Sequence, residues 1–319
     1  MTTGTLVPDT ATASPARVWV SLSLVYVIWG STYLGIAVTV ETMPALQALG
    51  VRFLSAALLL GTYLAVRRGP GVLRVSRREI ASSALLGFLM LVCAMGMLAY
   101  AEQHVATGVA ALIVAIVPLW VVILRAFSGD RPRLLTWLGV AVGLIGLAVL
   151  LLPQSSGGQG DARLWWSLGI MAGSSCWAVG SFLQPRLQTP SDPLVLTFFE
   201  MLAGGVLMIV IGTAIGERWD FSMISARSLW ALAYLITFGS LVGFVAYVWL
   251  IDNAPLSLVS TYAYVNPVVA VILGVLLHGE NVSSALLFGG AIVVVGVGMV
   301  VTAERRTRNE LHDLPEIAT

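Results

Sequence analysis

Ten apolar stretches, each about as long as a membrane is thick, leave this chain few folds to choose from. They run over about 17–37, 44–66, 79–101, 104–127, 132–152, 164–184, 192–215, 227–249, 257–277 and 282–303. A bilayer core takes about 20 apolar residues of helix, and a helix satisfies its own backbone groups where no water can. Barrel strands would be shorter and alternating. The connections between the runs are too short to hold a soluble domain. Only 10% of the 319 residues are charged, against roughly 25% in a soluble protein, so this chain cannot cover a water-facing surface. The expected fold is an all-α integral membrane protein of ten transmembrane helices.

Arginine placement sets the expected orientation. With the N-terminus inside, the cytoplasmic side holds Arg17, Arg67, Arg68, Arg74, Arg77, Arg78, Arg125, Arg131, Arg133, Arg186, Arg305, Arg306 and Arg308. The outer side holds only Arg163, Arg218 and Arg227, and Arg52 lies within a helix. Both tails, 1–16 and 304–319, are therefore expected inside. The first of them lacks the basic start and short apolar core of a cleaved signal peptide. All 17 basic residues are Arg, which fits GC-rich coding and a bacterial inner membrane. Cys93 and Cys176 both fall inside apolar runs, so no disulfide framework is expected.

The chain repeats itself. The segment 109–124, VAALIVAIVPLWVVIL, matches 258–273, LVSTYAYVNPVVAVIL, with Pro118 against Pro267. Gly139 and Gly146 match Gly289 and Gly296, Trp29 matches Trp177, and Pro44 matches Pro193. Each copy, 17–152 and 164–303, holds five runs. Five is odd, so the second copy enters the membrane from the opposite face. Two inverted five-helix repeats suit alternating access around a site near the membrane midplane.

WGSTYLGI (29–36), GVRFLSAALLL (50–60), AEQHVATGVAALIVAIVPL (101–119), CWAVGSFL (176–183), EMLAGG (200–205) and TYAYVNPVVAVILGVLLHGE (261–280) stand in order along nearly the whole chain. In that order they resemble the EamA family of the drug/metabolite transporter superfamily. The resemblance implies ten helices in two inverted repeats and export of small organic metabolites, amino-acid-like or otherwise amphipathic, with a few relatives that import. It also supports the positions of Arg52 and Glu200.

Helical spacing gathers Tyr26, Trp29, Gly30 and Tyr33 on one face of the first run, with Thr32 beside them. Trp177 and Ser181 form a similar face in the sixth. Ser257, Ser260, Thr261 and Tyr264 line one side of the ninth, while Tyr262 and Asn266 turn elsewhere. Aromatic rings beside a few polar groups suit a pocket for an organic solute. Small residues and hydroxyls also serve helix packing, so Trp29, Thr32, Tyr33, Trp177, Ser181, Ser260, Tyr264 and Asn266 are candidates for a substrate pathway. Pro118 and Pro267 each free a carbonyl one turn earlier, and a kink there either flexes as a gate or only improves packing.

Charges within the membrane cost roughly 2.5–3.5 kcal/mol each on insertion scales and face the protein interior. Glu200 is the one acid expected at depth, for a coupling proton, a substrate amine or a structural hydrogen bond. Arg52 is expected to hold a substrate carboxylate or to tie helices together. Glu102, His104 and Glu280 fall at run ends and read as rim groups. The glycine stripe of the fifth run suits close packing or a homodimer contact. No cofactor or metal is expected, nucleic acid is not an expected partner, and lipid, a small metabolite and protons are. A P-loop is absent, which argues against ATP-driven transport. No Ser–His or Asp–Asp pair stands at depth, which argues against an intramembrane enzyme. A channel would need no inverted repeat.

Overall fold

The structure, a computed structural model, describes residues 14–129, 132–151, 160–254, 256–259 and 261–312. Among these no strand occurs. The helices are α1 (Pro15–Val40), α2 (Ala45–Arg68), α3 (Arg77–Ala101), α4 (Thr107–Phe127), α5 (Leu134–Leu151), α6 (Gly160–Leu183), α7 (Pro193–Ala214), α8 (226–253), α9 (Tyr262–His278) and α10 (Ser284–His312). Eight helices among the described residues are long and apolar enough to cross a membrane. The other two are α6, whose Trp, Gly and Ser residues dilute its apolar character, and α9, with 17 residues. A short helical turn, Leu256–Val259, precedes α9.

Local chemistry sets the helix starts. Ser14 caps α1 and Pro15 opens it. Ser76 and Glu79 form a reciprocal capping box on α3. Asp192 accepts from the Leu194 N–H at 2.8 Å, with Pro193 at the first position of α7. Two helices receive their caps from distant parts of the chain. Glu217, just after α7, accepts from the N–H groups of Leu46 (3.0 Å) and Gln47 (2.9 Å) at the start of α2. Glu280, just after α9, accepts from the Thr107 N–H (2.6 Å) and hydroxyl (2.7 Å) at the start of α4. A carboxylate there meets both the free N–H groups and the positive end of the helix dipole.

The helices pack in a pattern that survives exchange of the two halves of the chain. α5 lies against α10, α2 against α7, and α4 against α9; α1–α9 contact is mirrored by α6–α4, and α3–α6 by α8–α1. The central π-helical turns of α3 (Gly87–Gly96) and α8 (Leu235–Val242) also occupy corresponding places. The glycine stripe is consumed inside the chain. A Cβ on Gly296 would stand 2.5 Å from the Gly143 Cα, and one on Gly146 would stand 2.5 Å from the Val293 N. Small residues at such a seam let backbones touch. The stripe that suggested a homodimer thus has its partner in α10. Large apolar side chains such as Val27, Leu58, Val66, Phe127 and Phe288 remain exposed around the bundle, as a lipid-facing surface requires.

The two prolines behave differently. α4 breaks at Ala115–Ile116, between Thr107–Val114 and Val117–Phe127, so Pro118 opens a new helical segment. Pro267 sits inside an uninterrupted α9.

Candidate solute pathway

At the middle of α1, Trp29 meets two tyrosines. Its ring centroid is 4.9 Å from that of Tyr247 on α8 and 5.2 Å from that of Tyr262 on α9, the latter edge-on. Tyr247 and Tyr262 are themselves 5.6 Å apart and perpendicular. Such offset and edge-to-face pairs contribute about 0.5–1.5 kcal/mol each beyond burial. The close fit depends on Gly243, where a Cβ would stand 2.7 Å from the Trp29 Nε1. One turn below, the Tyr26 and Thr261 hydroxyls are hydrogen-bonded and join α1 to the entry of α9.

Above the rings toward the Glu280 end lies a polar layer. Tyr33 is half-buried against the main core and lies within electrostatic reach of Tyr262 below and Glu102 above. Arg52 is 4% exposed. Its Nε donates to the Ser240 Oγ at 3.0 Å, which ties α2 to the π-helical turns of α8, while its Nη1 has no partner. Thr32 is buried, donates to the Trp29 carbonyl at 2.6 Å, and packs beside Gly239 along with the Arg52 guanidinium. Ser31 meets the Tyr234 hydroxyl at 2.6 Å.

Glu102 corrects the expectation of a rim charge. It sits in the tight turn between α3 and α4, is 8% exposed, and neither carboxylate oxygen has a partner. Burial and the nearby Glu280 charge push its carboxyl well above the usual range, and Arg52 opposes them. The turn is held down by the buried Val105 and by His104, whose ring stacks on Trp166 at 4.9 Å. A pocket of about 190 Å³ opens onto Glu102 from the Glu280 end, lined also by Ala37, Val105, Thr107 and His278.

The remaining candidates are placed as follows. Asn266 is buried; with its amide turned so that the nitrogen faces the carbonyls of Tyr262 (3.2 Å) and Tyr26 (3.3 Å), it joins α9 to α1. Tyr262, read from the sequence as turned away, is part of the ring cluster. The helix carrying it begins at Tyr262, so a face counted from Ser257 does not continue through it. Tyr264 is half-buried on the main core, and Ser260 lies outside the described residues. Trp177 and Ser181 on α6 are half-buried. The two halves differ here, because two of the α6 glycines face methionines of α3, Met97 lying by Gly169 and Met90 by Gly180, while Gly173 packs on the Ala94 backbone. Glu200 on α7 has a buried Oε1 without a partner, and its backbone packs directly on Gly87 of α3. Cys93 and Cys176 are free thiols in contact between α3 and α6.

Residues 18–152 and 164–302 each match the EamA-like transporter family. The chain belongs to that family. It is 38% identical over 281 residues to the "uncharacterized inner membrane transporter YedA" of Escherichia coli K12, covering 88% of this chain and 89% of the relative. It is 30% identical over 297 residues to a "probable terminal-alkyne amino-acid exporter" of Streptantibioticus cattleyicolor, covering 91% and 94%. A solved crystal structure with 21% sequence identity aligns with a TM-score of 0.63 over 92% of this chain and 99% of its own, which shows the shared fold. The chain is a multi-pass membrane protein of a transporter family, and the buried rings and charges are read in that light.

Proposed function

We propose that this chain is a secondary-active exporter of small organic solutes that works by alternating access. In this reading 17–152 and 164–303 are inverted five-helix repeats, α6 and α9 complete ten spans, and both tails face the cytoplasm of a bacterial cell. The exchange-symmetric helix packing and the paired π-helical turns support the repeat. The exporter named among the relatives supports the direction.

One observation carries the reading: an interior line of ring and charge, in which the rings of Trp29, Tyr247 and Tyr262 meet at the middle of the bundle and, nearer the Glu280 end, Arg52 Nη1 and both Glu102 oxygens lie buried without partners where a pocket opens onto Glu102. Apolar packing alone would place Leu and Val there, because buried charges without partners cost free energy. Rings supply contact area and a few polar groups supply orientation. Trp29, Thr32, Tyr33 and Asn266 belong to this line or hold its walls in place, and Trp177, Ser181 and Tyr264 are assigned to the complementary walls. Pro118, at a break in α4, is the better placed of the two prolines to act as a hinge.

Reconstitution tests the proposal. Proteoliposomes loaded with a metabolite extract should release a subset of solutes, and the same solute outside should accelerate release of labelled solute from within. A channel gives no such trans-stimulation, and release without it would refute the carrier mechanism.

A further inference from the structure

Cys93 on α3 and Cys176 on α6 are free, partly exposed thiols whose side chains touch. The backbones beside them allow that contact. A Cβ on Gly173 would stand 3.2 Å from the Ala94 Cα and 3.3 Å from the Cys93 carbonyl oxygen, so α6 lies directly on α3 one turn before Cys176. Helical spacing puts Gly169, Gly173, Cys176 and Gly180 on one face of α6. That face meets more sulfur on either side of the pair. A Cβ on Gly169 would stand 2.9 Å from the Met97 Sδ, and one on Gly180 would stand 3.0 Å from the Met90 Sδ. The pathway proposed above does not use these thiols.

We infer that Cys93 and Cys176 form a two-thiolate site for a soft divalent ion of the mercuric class, and that filling it holds α3 against α6 and stops transport. Ligand number and charge choose the ion. Thiolates select soft metals. Among the described residues no three His, Cys, Asp or Glu side chains gather as a metal-ligand set. A four-ligand ion such as zinc therefore lacks its donors, whereas a mercuric ion is satisfied by two thiolates in line. Two thiolates and a divalent ion sum to zero charge. A monovalent ion would leave a net negative charge at membrane depth, which is costly. Binding of mercuric chloride breaks two Hg–Cl bonds and two S–H bonds, forms two Hg–S bonds, and releases two chlorides and two protons. The arrest of transport rests on the transporter reading above. Exchange of the two halves sets the α3–α6 contact against α8–α1. The two seams differ, since α6 glycines meet methionines while Gly243 of α8 meets the Trp29 ring. Alternating access between such halves shifts one seam toward the geometry of the other, and a stiff S–Hg–S bridge blocks that shift.

The test treats the purified full chain and its Cys93→Ser and Cys176→Ser variants with mercuric chloride, read by native mass spectrometry and by solute exchange in proteoliposomes. Wild type should retain one mercury with loss of two protons. Removing it should take about a hundredfold more competing monothiol than from either variant, because the second thiol is held at high effective concentration. One equivalent of mercuric chloride should stop trans-stimulated exchange in wild type and leave it running in both variants. Cys93→Ala replaces a serine variant that does not exchange solute before mercury is added. Two mercury ions on each wild-type chain, or release as easy as from the variants, would overturn the site. Undiminished exchange by mercury-loaded wild type would overturn the lock. Absence of wild-type exchange before mercury is added would overturn the transporter reading, while the stoichiometry still decides the site.

Discussion

Adding one methyl group to Gly296 should damage this protein far more than adding one to Gly298, two residues along the same helix. At Gly296 the new Cβ would stand 2.3 Å from the Gly143 N, 2.5 Å from its Cα and 2.9 Å from the Gly139 carbonyl oxygen. Those atoms are backbone and cannot rotate aside, so α5 and α10 must separate. Overpacking of this kind costs about 1–3 kcal/mol, and separation along the seam would also loosen the contacts at Gly139, Gly146 and Gly289, whose Cβ positions are equally occupied. At Gly298 nothing lies within 4 Å of the Cβ position, and Ala there gains up to about 1 kcal/mol of helix propensity. The two variants should differ by about 1–4 kcal/mol. In a thermal unfolding scan of purified protein in detergent, that corresponds to midpoints roughly 2–6 °C apart, with Gly296→Ala below wild type and Gly298→Ala at or above it. Equal midpoints would refute the α5–α10 backbone seam and restore the stripe as a candidate contact between copies.

Glu217→Ala removes the acceptors of two N–H groups at the start of α2 and strands the Tyr100 hydroxyl, so it should destabilise by about 2–3 kcal/mol; an unchanged unfolding midpoint would contradict the capping role. Glu102 keeps its proton to a higher pH when folded than when unfolded, so apparent stability should fall as pH rises above the ordinary carboxyl value of 4.5, by up to about 1.4 kcal/mol per pH unit until the folded carboxyl ionises. Glu102→Gln should lose that share of the slope, and identical pH profiles for variant and wild type would count against the buried carboxyl. If Glu200 carries a coupling proton, Glu200→Gln should abolish transport driven by a pH gradient and spare solute exchange; a loss of both together points to a structural role. A cysteine at Val72, with Cys93 and Cys176 replaced by Ser, should react with an impermeant maleimide only after the cell is opened, and labelling in intact cells would reverse the proposed orientation.

Some of the candidate site was legible in the residues alone. Trp29 and Tyr33 share a helical face because α1 is unbroken from Pro15 to Val40, so counting by 3.6 holds along it. Arg52 could be placed inside because a charge in an apolar run has nowhere else to go. Tyr262 was misjudged because the helix phase restarts at the entry to α9. Glu102 was misjudged because a charge in a short connection ordinarily faces water, whereas this turn folds into the end of the bundle with Val105 and His104. The pairing of Glu217 with α2, and of Glu280 with α4, spans 171 and 173 residues of chain and leaves no local pattern.

The amino-acid sequence alone determined the solvent, the helices and the family, because apolar length and ordered motifs act locally and add along the chain. Only the tertiary structure decided which glycines touch, which carboxylates cap helices and which buried polar side chains are left without partners. Those outcomes depend on distances between elements far apart in sequence, set by how closely the helix backbones can approach one another.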